Sequence, residues 1–173
     1  MTDDPELDRA ARILRDYGQN GKNRHELAGY NSRLDELQAA LMRHAFLPEL
    51  SAWNKRRRQI AGRYLAGLHN PRITPLGAPP CSESCWHLFP VLAPPDRKAD
   101  FLAFLHEQGV VAGEHYPVLI PDQNAMSAVH AEVLGELTEA RRIAGSEISL
   151  PIHPFLTEDE VDRVIEACNG WKG

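Results

Sequence analysis

Tyr30, Asn31, Ser32 and Arg33 stand immediately before Asp35, Glu36 and leucines at positions 34, 37 and 41. A phenol, a carboxamide, a hydroxyl and a guanidinium at the start of a helix are groups that hold a phosphate or carboxylate, because free backbone N–H groups and the positive dipole end converge there. Gly29 ends an irregular segment, and Ser32 with Asp35 three residues on reads as an N-cap and capping box. A helix is therefore expected from about Ser32. A second reading fits the same residues: Asp35 and Glu36 already complement the dipole, and most helix starts bind only water and their own caps. Local sequence leaves both open.

Other chemistry-bearing residues are sparse. The lysines, Lys22, Lys55, Lys98 and Lys172, fall in loops, a charged helix face or the tail, and none has surroundings that lower its pKa by burial. Lys55-Arg56-Arg57-Arg58 is the only basic run, readable as a solvated helix face or, without aromatic interleaving, as a weak polyanion site. Cys81, Cys85 and Cys168 are an odd set without zinc-knuckle spacing, so free thiols and no metal are expected.

The elements that position these groups follow from patterning. The 173 residues, 43% hydrophobic and 25% charged, suit one good core with or without an appended arm. A net charge of −5 gives no electrostatic reason to seek nucleic acid or an anionic membrane. The acidic start MTDDPELDRA and the lack of any long apolar run predict a cytoplasmic chain. Asp4-Pro5 opens a helix that Gly18 ends, with Leu7, Ala10, Ala11 and Leu14 as its apolar stripe. The helix from Ser32 is expected to reach Phe46, with Pro48 bending it into a second stripe of Leu50, Trp53, Ile60, Tyr64 and Leu68. Residues 1–70 thus read as a long bent helical arm that lies against another body.

Residues 71–173 read as a separate small domain. Strands are expected at Ile73 to Leu76, Trp86 to Leu92, Val110 to Tyr116 and Glu147 to Leu150, and helices at Arg97 to Gln108 and about Val129 to Ala144. A last helix opens at the capping box of Thr157 and Glu160. The connections are too short for several parallel crossovers, so the class is α+β: a small, mainly antiparallel sheet with helices packed on one face.

In order and spacing, GYNSRLDELQAALM, WNKRRRQIAGRYLAGL, WHLFPVL, HYPVLIPDQNAM and SLPIHPFLTEDEVDRVI resemble the C-terminal part of the DegT/StrS-type sugar aminotransferases, over essentially the whole chain. The resemblance implies a fold-type I pyridoxal 5′-phosphate enzyme that moves an amino group from glutamate or glutamine to a keto group on a nucleotide-linked sugar. It implies a dimer with its active site at the subunit interface. There Asn31 reaches the cofactor phosphate of the partner subunit, with Arg33 and Tyr30 beside it. His115 and Tyr116 match a His-Tyr-Pro block near the sugar nucleotide, where they suit hydroxyls or a diphosphate, although a satisfied structural pair is an equal reading. The chain departs from the pattern at Pro121 and Met126, where a histidine and an aromatic are usual. His87 and His153 also match family blocks and read as fold-supporting.

The family's Schiff-base lysine, the aspartate that pairs with the pyridine nitrogen and the aromatic that stacks on the ring have no counterpart blocks here. The chain is therefore expected to be inactive alone, with no catalytic residue of its own. It should need a homodimer, a lysine-bearing large domain or a full-length relative. The blocks are most similar to members acting on dTDP-3-keto-6-deoxyhexoses. A non-catalytic oligomerisation or regulatory module and a fragment of a pyridoxal-phosphate sugar dehydratase are the alternatives.

Overall fold

The computed structural model describes residues 2–129 and 132–173. The chain folds as two compact units, Met1–Leu50 and Ser51–Gly173.

In the first unit, α1 (Pro5–Arg15) begins where expected, with the Asp4 carboxylate accepting from the N–H groups of Glu6 and Leu7. The chain turns out of α1 through Tyr17 and Gly18, at φ 55° and 72°. A Cβ on Gly18 would sit 1.8 Å from the Leu27 carbonyl oxygen, and one on Gly29 would sit 2.1 Å from the Gly18 nitrogen. Both glycines are needed so that two stretches of backbone can touch.

The next helix does not start at Ser32. It is a short α2 (Glu36–Leu41) running on into a π-helical turn, Met42–Phe46, and its cap is Asp35, which accepts from Leu37 N–H at 2.8 Å. The Ser32 capping box fails because the neighbouring backbone is already engaged. Tyr30 N–H donates to Leu14, Ser32 N–H to Arg15 and Tyr17 N–H to Tyr30, at 2.7, 2.8 and 2.9 Å. Among the described residues, Ile13 is the one buried hydrophobic side chain of this unit, while Leu34, Leu37 and Leu41 stay 59%, 70% and 48% exposed. So little burial cannot offset the entropy of ordering fifty residues.

The second unit holds the core. Antiparallel strands β1 (Thr74–Pro75), β2 (Phe89–Leu92) and β3 (Glu147–Leu150) lie in that order, with Phe89 opposite Leu150 and Val91 opposite Ile148. These four side chains meet Ile60 and Tyr64 of α3 (Leu50–Gly67), Phe101 and Leu105 of α4 (Lys98–Glu107), and Val161 and Val164 of α6 (Glu158–Gly170). The α+β class, the small antiparallel sheet and the Thr157/Glu160 capping box are as the sequence predicts.

The sequence reading groups α3 with the arm, yet its Ile60, Ala61 and Tyr64 are fully buried in this core, and the Tyr64 hydroxyl donates to the Pro151 carbonyl at 2.8 Å. Arg56 also ties α3 to α6, bonding Glu158 at 2.6 Å and the Leu156 carbonyl at 2.7 Å, while Arg63 pairs with Glu158 and Asp162. The Arg56 hydrogen bond, helped by the charges of both arginines, holds Glu158 below the usual carboxylate range. With Arg58 paired to Glu83 at 3.2 Å and Arg57 bonded to Asn54 at 3.4 Å, the three arginines of the basic run are engaged within the chain.

Two expected elements change. The helix expected at about Val129 to Ala144 is α5 (Thr138–Ser146), entered through Leu137 at φ 53°; His130 and Ala131 lie outside the described residues. The strand expected over Val110 to Tyr116 reduces to a single bridge between Gly113 and Ser149, because the residues after Gly113 bond to side chains instead.

Cys168 is buried, and burial pushes its thiol up to about 12, whereas Cys81 and Cys85 are exposed. Thiol titration with Ellman's reagent at pH 8 is therefore expected to count two cysteines in the native chain and three in guanidinium, because only the thiolate attacks. Rapid native reaction of all three would contradict the core placement. Among the described residues no helix is long and apolar enough to cross a membrane, and no group of three or more His, Cys, Asp or Glu side chains could hold a metal ion.

Candidate functional site

The candidate residues fall in two places, one in each unit. In the first unit, Asn31 and Arg33 line a shallow hollow of about 340 Å³ together with Leu34, Asp35 and Glu36. The Asn31 backbone is fixed by its bridge to Asp16 and by the flanking hydrogen bonds of Tyr30 and Ser32. Its side chain is exposed and makes no hydrogen bond among the described residues, so a rigid main chain presents a free carboxamide.

Arg33 is differently placed. It pairs with Asp16, at 3.2 Å from Oδ1 but without hydrogen-bond alignment, and its guanidinium lies 5.3 Å from the Tyr17 ring centroid. Both partners, Asp16 and Tyr17, come from the end of α1 and the turn after it. Tyr30 is 70% exposed and does not line the hollow. The α2 N-terminus is already capped by the Asp35 carboxylate, so the dipole argument weakens and Asn31 itself becomes the donor to consider.

In the second unit, His115 and Tyr116 end a firmly held loop. Gly113 exchanges backbone hydrogen bonds with Ser149 at 3.0 and 2.8 Å, and Glu114 pairs with Lys98 at 2.6 Å. The His115 N–H donates to Glu147 Oε2 at 2.8 Å, and its Nδ1 lies 3.0 Å from Ser149 Oγ. Tyr116 is 83% exposed at φ 54°, an uncommon conformation for a non-glycine residue and one that surrounding structure must impose.

Sequence reasoning missed Glu147 and Ser149. Strand alternation carries the signal: with Ile148 and Leu150 turned to the core, Glu147 and Ser149 must share the opposite face, and both are buried there. Lys98 was also misread. It is 8% exposed, donating to the Ala144 carbonyl at 3.0 Å besides its pairing with Glu114. His153 lines a separate hollow of about 470 Å³ with Glu160 and Arg163.

Asn31 offers an unengaged N–H donor suited to a phosphate oxygen, whereas Lys98 is committed to Glu114 and Ala144.

The chain is 38% identical over 174 residues to a dTDP-3-amino-3,4,6-trideoxy-alpha-D-glucose transaminase of Streptomyces venezuelae, covering 99% of this chain and 44% of that protein. It is 38% identical over 170 residues to a dTDP-3-amino-3,6-dideoxy-alpha-D-galactopyranose transaminase of Aneurinibacillus thermoaerophilus, covering 98% and 45%. The crystal structure of S. venezuelae DesV in complex with a ketimine intermediate superposes with a TM-score of 0.92 at 39% identity, over 99% of this chain and 45% of that one. The chain thus spans less than half the length of these relatives. Residues 1–169 match one family along their whole length, and the chain belongs to the DegT/DnrJ/EryC1/StrS aminotransferase family.

Proposed function

We propose that these residues form the C-terminal part of a cytoplasmic, pyridoxal 5′-phosphate-dependent nucleotide-sugar aminotransferase. It transfers an amino group from glutamate or glutamine to a dTDP-linked 3-keto-6-deoxyhexose, and it needs a lysine-bearing large domain, in the same enzyme or in a partner subunit. The observation that carries this reading is the Asn31 carboxamide, fixed on a bridged backbone with no internal hydrogen bond. The dTDP-amino-sugar transaminases among its relatives support the substrate class.

Asn31 donates to the cofactor phosphate of the neighbouring body. Arg33, fixed by Asp16 and Tyr17, adds positive charge near that phosphate without leaving its place, and Tyr30 flanks it. His115 and Tyr116 bind the sugar nucleotide. The apolar side chains of the first unit, Leu34, Leu37 and Leu41 among them, are covered by the partner. Mixing the chain with a lysine-bearing large domain should give a stable heteromeric complex in light scattering; a monomer with no complex at high concentration overturns the reading.

In the assembled holoenzyme, Asn31→Ala is expected to weaken cofactor retention by about 1–3 kcal/mol, the size of one hydrogen bond to a charged group. Equilibrium dialysis of the cofactor measures it, and unchanged affinity removes Asn31 from the site. Asn31→Asp should weaken it further, since it sets a carboxylate against a phosphate.

A further inference from the structure

The Glu147, Ser149 and His115 side chains form one hydrogen-bonded chain whose direction can be worked out. Ser149 Oγ donates to Glu147 Oε1 at 2.5 Å, the length of a hydroxyl bonded to a carboxylate. Glu147 Oε2 accepts the His115 backbone N–H, so both carboxylate oxygens act as acceptors. The serine hydroxyl has one hydrogen, and it is used in the bond donated to Glu147. Ser149 Oγ can then meet His115 Nδ1, 3.0 Å away, only as an acceptor, and Nδ1 must carry the hydrogen. Glu147 and Ser149 are each 6% exposed, so water does not readily substitute for either partner.

We propose that Glu147 and Ser149 are positioning residues that lock the uncharged form of the His115 ring in the Nδ1–H tautomer, so that in this form Nε2 is a bare acceptor for a ligand hydroxyl. This rests on reading His115 as a substrate-binding residue, and it selects between two chemistries open to an imidazole. A neutral ring with an unprotonated Nε2 accepts from a sugar O–H, whereas a diphosphate oxygen, itself an acceptor, gains nothing from it. The bridge between Gly113 and Ser149 and the ion pair of Glu114 with Lys98 hold the loop, so the ring is oriented before any ligand arrives.

Long-range proton–nitrogen NMR of the 15N-labelled 173-residue chain at pH 8 tests this without ligand. His115 is assigned by loss of its signals in His115→Gln. The expected wild-type pattern is a protonated, pyrrole-type Nδ1 and an unprotonated, pyridine-type Nε2. Ser149→Ala should shift the pair toward the Nε2–H tautomer, and Ser149→Thr, which keeps the hydroxyl, should restore the wild-type pattern. Circular dichroism confirms that each variant is folded. A protonated Nε2 in the wild type, or a pattern unchanged by Ser149→Ala, overturns the proposal. Adding dTDP-glucose separates this from the substrate reading: binding that leaves the Nε2 signal unmoved retires the sugar contact while the ligand-free pattern still stands for the lock.

Discussion

Borohydride reduction of the isolated chain mixed with pyridoxal 5′-phosphate is expected to leave no stoichiometric pyridoxyl group on Lys22, Lys55, Lys98 or Lys172. Amino transfer from glutamate to a dTDP-keto sugar is expected to be undetectable. Covalent attachment needs an uncharged amine held in a pocket beside the cofactor. Lys98 is the one lysine with a buried setting, and there its Nζ is committed to the Glu114 carboxylate and the Ala144 carbonyl. The expected loss is that of the whole catalysed route, about 10⁶-fold or more on the scale of enzymatic acceleration. Mass spectrometry of the reduced protein reads the adduct and a coupled glutamate assay reads the transfer. A single lysine modified to completion, or turnover by the purified chain, overturns the expectation. Adding a lysine-bearing large domain should restore turnover, and complex formation without it would favour the non-catalytic oligomerisation reading.

Side-chain chemistry was more legible in the sequence than the backbone that presents it. β3 and the α6 capping box follow from short-range patterns, and the structure places them as read, because alternation over Glu147–Leu150 and the Thr157/Glu160 pair are satisfied by near neighbours. The start of α2 was misplaced by about three residues, since the competing hydrogen bonds come from Leu14, Arg15 and Tyr17, a dozen or more positions away. Local capping rules cannot register such partners. The same limit hid the second candidate site: His115 is visible as a residue, but its partners Glu147 and Ser149 lie more than thirty positions on, brought near by the Gly113 bridge. Lys98 was misread for a related reason, because burial of a charge becomes tolerable only once a distant carboxylate, here Glu114, is folded against it.

Phe89→Ala is expected to destabilise the chain by about 3–5 kcal/mol, the range for a large aromatic truncated in a packed core. Phe89 is fully buried on β2, with its ring centroid 5.0 Å from that of Tyr64 on α3 and 5.2 Å from that of Trp86. It also stands opposite Leu150 of β3, so one truncation opens a cavity where a helix and two strands meet. A domain of this size has about 5–15 kcal/mol of stability in all, so the variant should melt far earlier and unfold at much lower urea. Phe89→Leu keeps most of the volume and should lose less than half as much. Leu37→Ala, at a side chain 70% exposed in the first unit, should stay within about 0.5 kcal/mol of wild type in the isolated chain. The same Leu37 substitution should weaken association once the partner covers that side chain. Equal destabilisation by Phe89→Ala and Leu37→Ala in the isolated chain would show that the first unit carries a core of its own, and would remove the reason for it to seek another body.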